Sequence, residues 1–161
     1  MEYTIEKKVG ISLAGKSKKF RIKESNHGIS EFWREIANND ALNKIHEVKT
    51  DGPNFNGHIV SVWQESEVDP AQVIYSIGTE YDVRNSIYAL EIITIPDYTW
   101  AIFRCTGALP DAMHEAKKAI FNDFLPASEL RVINTLHLEV YSDDNKKQED
   151  YQFEIWVPLI D

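Results

Sequence analysis

The chain has 161 residues, of which 43% are hydrophobic and 27% charged, and its formal net charge is −9. This length suits one domain with its own core, so we predict a single small-molecule-binding domain over residues 1–161. The acidic balance disfavours direct binding to nucleic acid, whose phosphates repel negative charge. No apolar run approaches the ~18 residues that span a bilayer, and the N-terminus has no apolar secretory segment. These features predict a cytoplasmic protein that does not contact membranes.

The first half of the chain predicts a strand, a helix and two further strands. Within residues 6–22, apolar side chains alternate with small ones, which is the period of a strand. Ser30 suits a helix N-cap, and apolar side chains at helical spacing follow it until the break at residues 38–39. After a short second helical piece and a Gly-Pro turn, β-branched and aromatic residues over 59–63 and 72–78 predict a hairpin.

The second half repeats this order. Strand patterns cover residues 90–103, and Pro110 then opens a helix whose apolar stripe ends at residues 125–126. A final hairpin follows over residues 135–141 and 151–158. Two β-α-β-β units in succession predict an α+β fold with pseudo-twofold symmetry, antiparallel sheets and two main helices. Pockets favour junctions between structural units, so we expect a central ligand cleft where the two halves meet.

The last strand carries the first candidate site residue. Its alternation puts Phe153, Ile155 and Val157 on one face, and Glu154 and Trp156 on the other. A carboxylate in aromatic surroundings is costly unless it is paired, and a cationic ligand is one partner that offsets the cost. Periodicity alone also leaves open that the glutamate is an ordinary exposed strand residue.

An alignment of the two halves by pattern supplies neighbours for this glutamate. It brings Tyr75 beside Glu154 across the pseudo-axis, with Trp63 and Tyr141 next to them. Aromatic faces around one carboxylate attract a lipophilic cation by cation–π interaction and charge pairing. Each tryptophan is also compatible with an ordinary core position. The predicted ligand-binding residues are Glu154, Trp156, Tyr75, Trp63, Trp33, Trp100 and Tyr141.

Motifs for metal, phosphate or nucleophilic chemistry are absent from the sequence. The five histidines are scattered without metal-ligand spacing, and the single cysteine, Cys105, cannot form a disulfide within the chain. No serine lies in a G-x-S-x-G context, and no glycine-rich phosphate loop occurs. We therefore predict no metal and no cofactor.

Four segments of the chain resemble segments of one known domain family. They are the strand at residues 95–103 (IPDYTWAIF), the strand at 74–78 (IYSIG), GALP at 107–110 with FLPAS at 124–128 around a helix, and the terminal strand FEIWVP at 153–158. In this order they resemble GyrI-like domains, the AraC-type effector-binding family. The resemblance implies a duplicated β-α-β-β fold around a central pocket that binds a hydrophobic, cationic small molecule. Glu154 matches the terminal-strand glutamate that contacts such ligands in drug-binding members.

The resemblance also implies several possible roles. Family members serve as effector-binding domains of multidrug-responsive transcription regulators, as stand-alone binders or as gyrase-modulating proteins, and this sequence has no DNA-binding helical region. We therefore expect a stand-alone binding domain rather than an enzyme. One alternative is a hydrolase of reactive small molecules, with Glu154 as general base and Tyr75 as its hydrogen-bonding partner. Another is a protein-interaction role with a protein partner or a homodimer.

Overall fold

A computed structural model describes residues 1–160 of the chain. Eight strands form one antiparallel sheet, and helices cover one of its faces. The strands are β1 (Tyr3–Lys8), β2 (Ile11–Arg21), β3 (Ile59–Glu65), β4 (Gln72–Glu80), β5 (Glu91–Ile95), β6 (Tyr98–Thr106), β7 (Leu136–Tyr141) and β8 (Gln152–Leu159).

Three helices connect these strands. They are α1 (Ser25–Asn38), which follows a 3₁₀ turn at Ile22–Glu24, α2 (Ala41–Val48) and α3 (Asp111–Lys118). The third helix continues through a π-helical segment, Ala119–Phe124, to a last α-helical turn at Leu125–Ala127. Among residues 1–160, no helix has both the length and the apolar character needed to cross a membrane.

The sheet runs in the order β1-β6-β8-β7-β3-β4-β2-β5. One β-α-β-β unit supplies β2, β3 and β4, and the other supplies β6, β7 and β8. The units meet at the β3–β7 pair, where Ser61 lies opposite Glu139. The predicted α+β fold with its duplicated units is therefore confirmed. The small sheets of the two units join edge to edge into one continuous sheet at the pseudo-twofold axis.

The sheet is strongly curled. β1 and β2 are separated only by Val9 and Gly10, yet β1 pairs with β6 while β2 pairs with β4 and β5. Two residues span at most ~7 Å, so the two ends of the sheet must approach each other. Gly10 makes the turn at φ 66°, and its N–H donates a hydrogen bond of 2.9 Å to the carboxylate of Asp97 between β5 and β6.

Two boundaries near the N-terminus differ from the sequence predictions. The single strand predicted for residues 6–22 is two strands, because the ladder is interrupted at Val9 and Gly10, where Gly10 has a positive φ and β1 gives way to β2. The first helix begins at Ser25 rather than after Ser30. The hydroxyl of Ser30 donates a hydrogen bond to the carbonyl oxygen of Asn26, one turn earlier in the same helix. Ser30 is therefore an interior residue of α1 and not its N-cap.

The two faces of the sheet carry different cores. The face inside the curl, here called the concave face, buries side chains from both halves against Phe55 of the loop before β3. The other face, here called the helix face, packs against the helices in two clusters, one under α1 and α2 and one under α3. The concave-face core includes Leu13, Val62, Trp100, Leu138 and Trp156.

The curl depends on a close approach of two glycines, which we expect to tolerate no side chain. Gly15 lies opposite Gly78 in the β2–β4 pair, and a Cβ on Gly15 would collide with the carbonyl oxygen of Ile77 and lie 2.6 Å from the Cα of Gly78. Gly15→Ala should lower the free energy of unfolding by about 1–3 kcal/mol, measured by urea denaturation. Lys16→Ala, one residue along the same strand, should stay within about 0.5 kcal/mol of the parent. Equal stability of the two variants would contradict the close approach.

Candidate ligand-binding site

A cleft of about 220 Å³ opens on the helix face, above the seam between β3 and β7. One wall comes from α1 and the other from the start of α3 and the turn before it, while β3, β4 and β7 form the floor. The cleft thus lies at the pseudo-twofold axis, where the two units meet. Its aromatic and charged lining includes Trp33, Trp63, Tyr75, Tyr141, Lys117 and Glu139.

Strand register brings the floor residues together. Trp63 is the register partner of Tyr75 in the β3–β4 pair, and Ser61 is the partner of Glu139 across the seam. Side chains two residues apart on a strand share a face, so these four residues all point toward the helices. Tyr141 lies two residues after Glu139 on β7 and joins the same face.

The aromatic residues of the cleft hold one another in fixed orientations. The indole N–H of Trp33 donates a hydrogen bond of 2.9 Å to the hydroxyl of Tyr75. The Trp33 ring also packs edge-on against Tyr141 at 5.3 Å between centroids, and Trp63 stacks on His137 at 5.4 Å. Burial and the nearby charge of Glu139 raise the pKa of Tyr75 well above its ordinary value, so its hydroxyl stays neutral.

Glu139 is the polar centre of the cleft and is only 4% exposed. Its Oε1 accepts hydrogen bonds from the hydroxyl of Tyr141 at 2.6 Å and from that of Ser61 at 3.2 Å. Its Oε2 contacts the ammonium group of Lys117 and lies 3.4 Å from Nε2 of His137, but no well-directed hydrogen bond reaches it. One carboxylate oxygen is therefore held by two hydroxyls, and the other by its contacts with Lys117 and His137.

These contacts keep Glu139 ionised despite its burial. Desolvation by itself would raise the pKa of the carboxyl group, but His137 and Lys117 outweigh it and hold the pKa well below its usual range. A buried carboxylate with aromatic neighbours is an anionic site of low polarity. Such a site favours a cationic partner over water.

The structure brings Trp33, Trp63, Tyr75 and Tyr141 together in this cleft, and the pattern of the two halves groups the last three of them. Trp63 and Tyr75 meet through strand pairing, and Trp33 reaches them from α1. For Trp33 the sequence left core packing and ligand contact open. Its indole does both, because it packs against both helix-face clusters and also lines the cleft.

The remaining predicted residues, Glu154, Trp156 and Trp100, lie away from the cleft on the concave face. Trp100 and Trp156 are fully buried there and pack against each other at 5.9 Å between centroids. Glu154 is partly exposed at the rim, in a groove of about 250 Å³ beside Arg104, and it accepts a hydrogen bond of 2.9 Å from the indole N–H of Trp156. One carboxylate oxygen of Glu154 thus accepts its hydrogen bond from an uncharged donor.

The expectation that Glu154 adjoins Tyr75 is wrong. In the β7–β8 pair Glu139 is the partner of Ile155, whereas Glu154 is the partner of Val140, so Glu154 and Tyr75 point to opposite faces of the sheet. The same geometry removes the pairing that the hydrolase hypothesis requires, because a general base cannot share a proton with a tyrosine across a sheet. Glu139 does face Tyr75, but its lowered pKa makes it a weak base.

Sequence reasoning missed Glu139, Lys117 and His137. A signal for Glu139 was present, since it lies two residues before Tyr141 and strand alternation puts both on one face. Lys117 carried no comparable signal, because its contact with the carboxylate depends on how α3 packs on the sheet. Within residues 1–160, no three His, Cys, Asp or Glu side chains group closely enough to hold a metal ion.

A family model described as "GyrI-like small molecule binding domain" matches residues 1–160. The chain belongs to the GyrI-like family. The cleft at the pseudo-twofold axis therefore lies in a domain type that binds small molecules. No curated protein sequence matches the chain.

Solved structures share the GyrI-like fold over the whole chain. SAV2435, solved bound to tetraphenylphosphonium, is 20% identical, with a TM-score of 0.86 over 99% of this chain and 94% of its own. A putative bacterial transcription regulation protein from Staphylococcus aureus MU50 is 17% identical, with a TM-score of 0.84 over 100% and 99%. The integron cassette protein VCH_CASS2 from Vibrio cholerae is 16% identical, with a TM-score of 0.64 over 98% and 95%. At these identities the similarity establishes a common fold.

The lowered pKa of Glu139 makes stability depend on pH in a specific direction. The unfolded chain takes up a proton near the ordinary pKa of 4.5, whereas the folded chain resists protonation until a much lower pH. The stability that this carboxylate contributes is therefore complete above about pH 4.5 and falls as the pH drops toward the folded pKa. Between about pH 6 and about pH 3 the parent should lose about 2 kcal/mol more than Glu139→Gln, since each pH unit below the ordinary pKa of 4.5 is worth about 1.4 kcal/mol. Urea unfolding at each pH measures this, and parallel curves would refute it.

Proposed function

We propose that the chain binds a lipophilic organic cation in the cleft between α1 and α3. In this proposal Glu139 is the counter-ion, and Trp33, Trp63, Tyr75 and Tyr141 form the aromatic wall. The observation that carries the proposal is the buried, ionised carboxylate of Glu139 among aromatic side chains. The tetraphenylphosphonium bound to the structurally similar SAV2435 supports the same ligand class.

The physical chemistry of the cleft favours a large, delocalised cation over a small one. Removing a compact ammonium ion from water is expensive, while an ion whose charge is spread over aromatic groups has less hydration to lose. Its apolar surface adds roughly 25 cal/mol for each Å² buried. The aromatic rings of the cleft then add cation–π attraction to the part of the ligand's positive charge that contacts them.

The dimensions of the cleft indicate that binding involves movement. Drug-sized pockets measure roughly 300–1,000 Å³, and the cleft has about 220 Å³. A bulky cation therefore needs space that the walls or their side chains must release. Side chains from both walls line the cleft, including Lys117 on α3 and Ser30 on α1.

Tetraphenylphosphonium titration of three matched proteins tests the role of Glu139. Glu139→Gln should weaken binding by about 30-fold or more, because a buried ligand charge then loses its counter-ion at a cost of about 2 kcal/mol. Glu154→Gln removes a carboxylate on the opposite face and should bind within twofold of the parent. Quenching of tryptophan fluorescence reports binding, since Trp33 and Trp63 line the cleft while Trp100 and Trp156 do not.

A neutral ligand of similar shape separates charge pairing from shape. Triphenylphosphine oxide should bind the parent and Glu139→Gln with equal affinity, since it brings no positive charge. Equal affinity of the parent and Glu139→Gln for tetraphenylphosphonium would contradict the proposal. A loss of affinity in Glu154→Gln alone would move the site to the concave face, and absence of saturable binding by the parent at millimolar ligand would also contradict it.

A further inference from the structure

The chain already places a cation on the carboxylate of the cleft. Lys117, in the last turn of α3, contacts Oε2 of Glu139 with its ammonium group. We propose that Lys117 is a tethered substitute for the ligand's charge, which a ligand must displace and which thereby excludes small hydrophilic ammonium ions from the site. This inference rests on the proposed function of the cleft and names how that site selects its ligands.

The two oxygens of Glu139 divide into a fixed one and an exchangeable one. Oε1 is held by the hydroxyls of Tyr141 and Ser61 at 2.6 and 3.2 Å. Oε2 is buried and contacts the ammonium group of Lys117 and, at 3.4 Å, Nε2 of His137, and neither hydroxyl reaches it. A cation that replaces Lys117 therefore leaves the hydrogen bonds of the carboxylate intact.

Lys117 has a route out of the cleft, whereas Glu139 has none. The side chain of Lys117 is 34% exposed, while that of Glu139 is 5% exposed. A lysine ammonium sits on four flexible methylene groups and regains its hydration when it swings into solvent. The exchange of Lys117 for a ligand charge thus needs a side-chain rotation and no unfolding of α3.

A second lysine contacts two rings of the aromatic wall from a neighbouring cavity. The ammonium group of Lys146, in the loop between β7 and β8, lies 5.2 Å from the ring centroid of Trp33 and 5.0 Å from that of Tyr141. Lys146 does not line the cleft, so Lys117 is the lysine that contacts the carboxylate there.

A ligand must bind more favourably than Lys117 to displace it, and the chemistry of the ligand decides whether it does. A group attached to the same chain competes at an effective concentration in the millimolar range or higher. A small alkylammonium ion makes the same charge contact as Lys117 and adds almost no apolar area, so it cannot displace the lysine. A lipophilic cation adds buried apolar surface and aromatic contacts, which offset the loss of the internal ion pair.

Substitution of Lys117 removes the competitor. Lys117→Met keeps the length and apolar character of the stem and should bind tetraphenylphosphonium about tenfold more tightly, which corresponds to about 1.4 kcal/mol. Lys117→Arg keeps the charge and should behave as the parent. Lys118→Met is the matched control, because Lys118 is the next residue on α3 and is exposed.

Rescue by an external amine tests the tether without a lipophilic ligand. Lys117→Met leaves the buried carboxylate without its cation, so its Tm should fall below that of Lys118→Met. Butylammonium chloride should then raise the Tm of Lys117→Met, relative to sodium chloride at equal ionic strength, and should leave the parent, Lys117→Arg and Lys118→Met unchanged. Lys117→Gln, which keeps a polar head group, gives the same comparison where the Met variant folds poorly.

The outcomes separate this inference from the proposed function. If butylammonium shifts the Tm of Lys117→Met no more than that of Lys118→Met, and both bind tetraphenylphosphonium equally, Lys117 is a structural ion-pair partner and the inference is wrong. The proposed function still stands in that case if Glu139→Gln weakens binding. If Glu139→Gln binds as tightly as the parent, the proposed function fails and the inference fails with it, and selective rescue by butylammonium would then show only that Lys117 neutralises Glu139.

Discussion

A single buried charge, the carboxylate of Glu139, imposes the main constraint on this structure. It lies on the seam where the two halves of the sheet meet. Removing a carboxylate from water is costly, and the groups around Glu139 offset that cost by hydrogen bonds and opposite charge. Ser61 comes from the opposite half, Tyr141 from the same strand, and Lys117 from the helix above. Glu139 contacts side chains from β3, β7 and α3, so it links the two units at the floor of the cleft.

The curl of the sheet gives its two faces different chemistry. The concave face is closed by side chains from both ends of the sheet, so Trp100 and Trp156 pack into a buried core. The helix face cannot close in the same way, because α1 and α3 belong to different units and leave a gap above the seam. Glu154, on the concave face, is thus a partly exposed residue at the rim. Glu139, on the helix face, lies in the floor of the cleft.

The cleft combines a buried anion with apolar walls, and Lys117 neutralises that anion. In the proposed binding mode the same ion pair competes with the ligand. Affinity is then the difference between two cation contacts at one carboxylate, and the apolar surface of the ligand decides that difference.

Local pattern was sufficient for the elements and for their duplication, since alternation and helical spacing are properties of neighbouring residues. It also supplied Trp63, Tyr75 and Tyr141 as one group, because each is placed by the period of its own strand. The sequence did not decide which face of the sheet the helices cover, and that choice separates Glu139 from Glu154. Strand periodicity defines two faces but cannot distinguish them, because both carry apolar residues in a sheet that is buried on each side. Only tertiary packing assigns the cleft to one face, and it does so by closing the other.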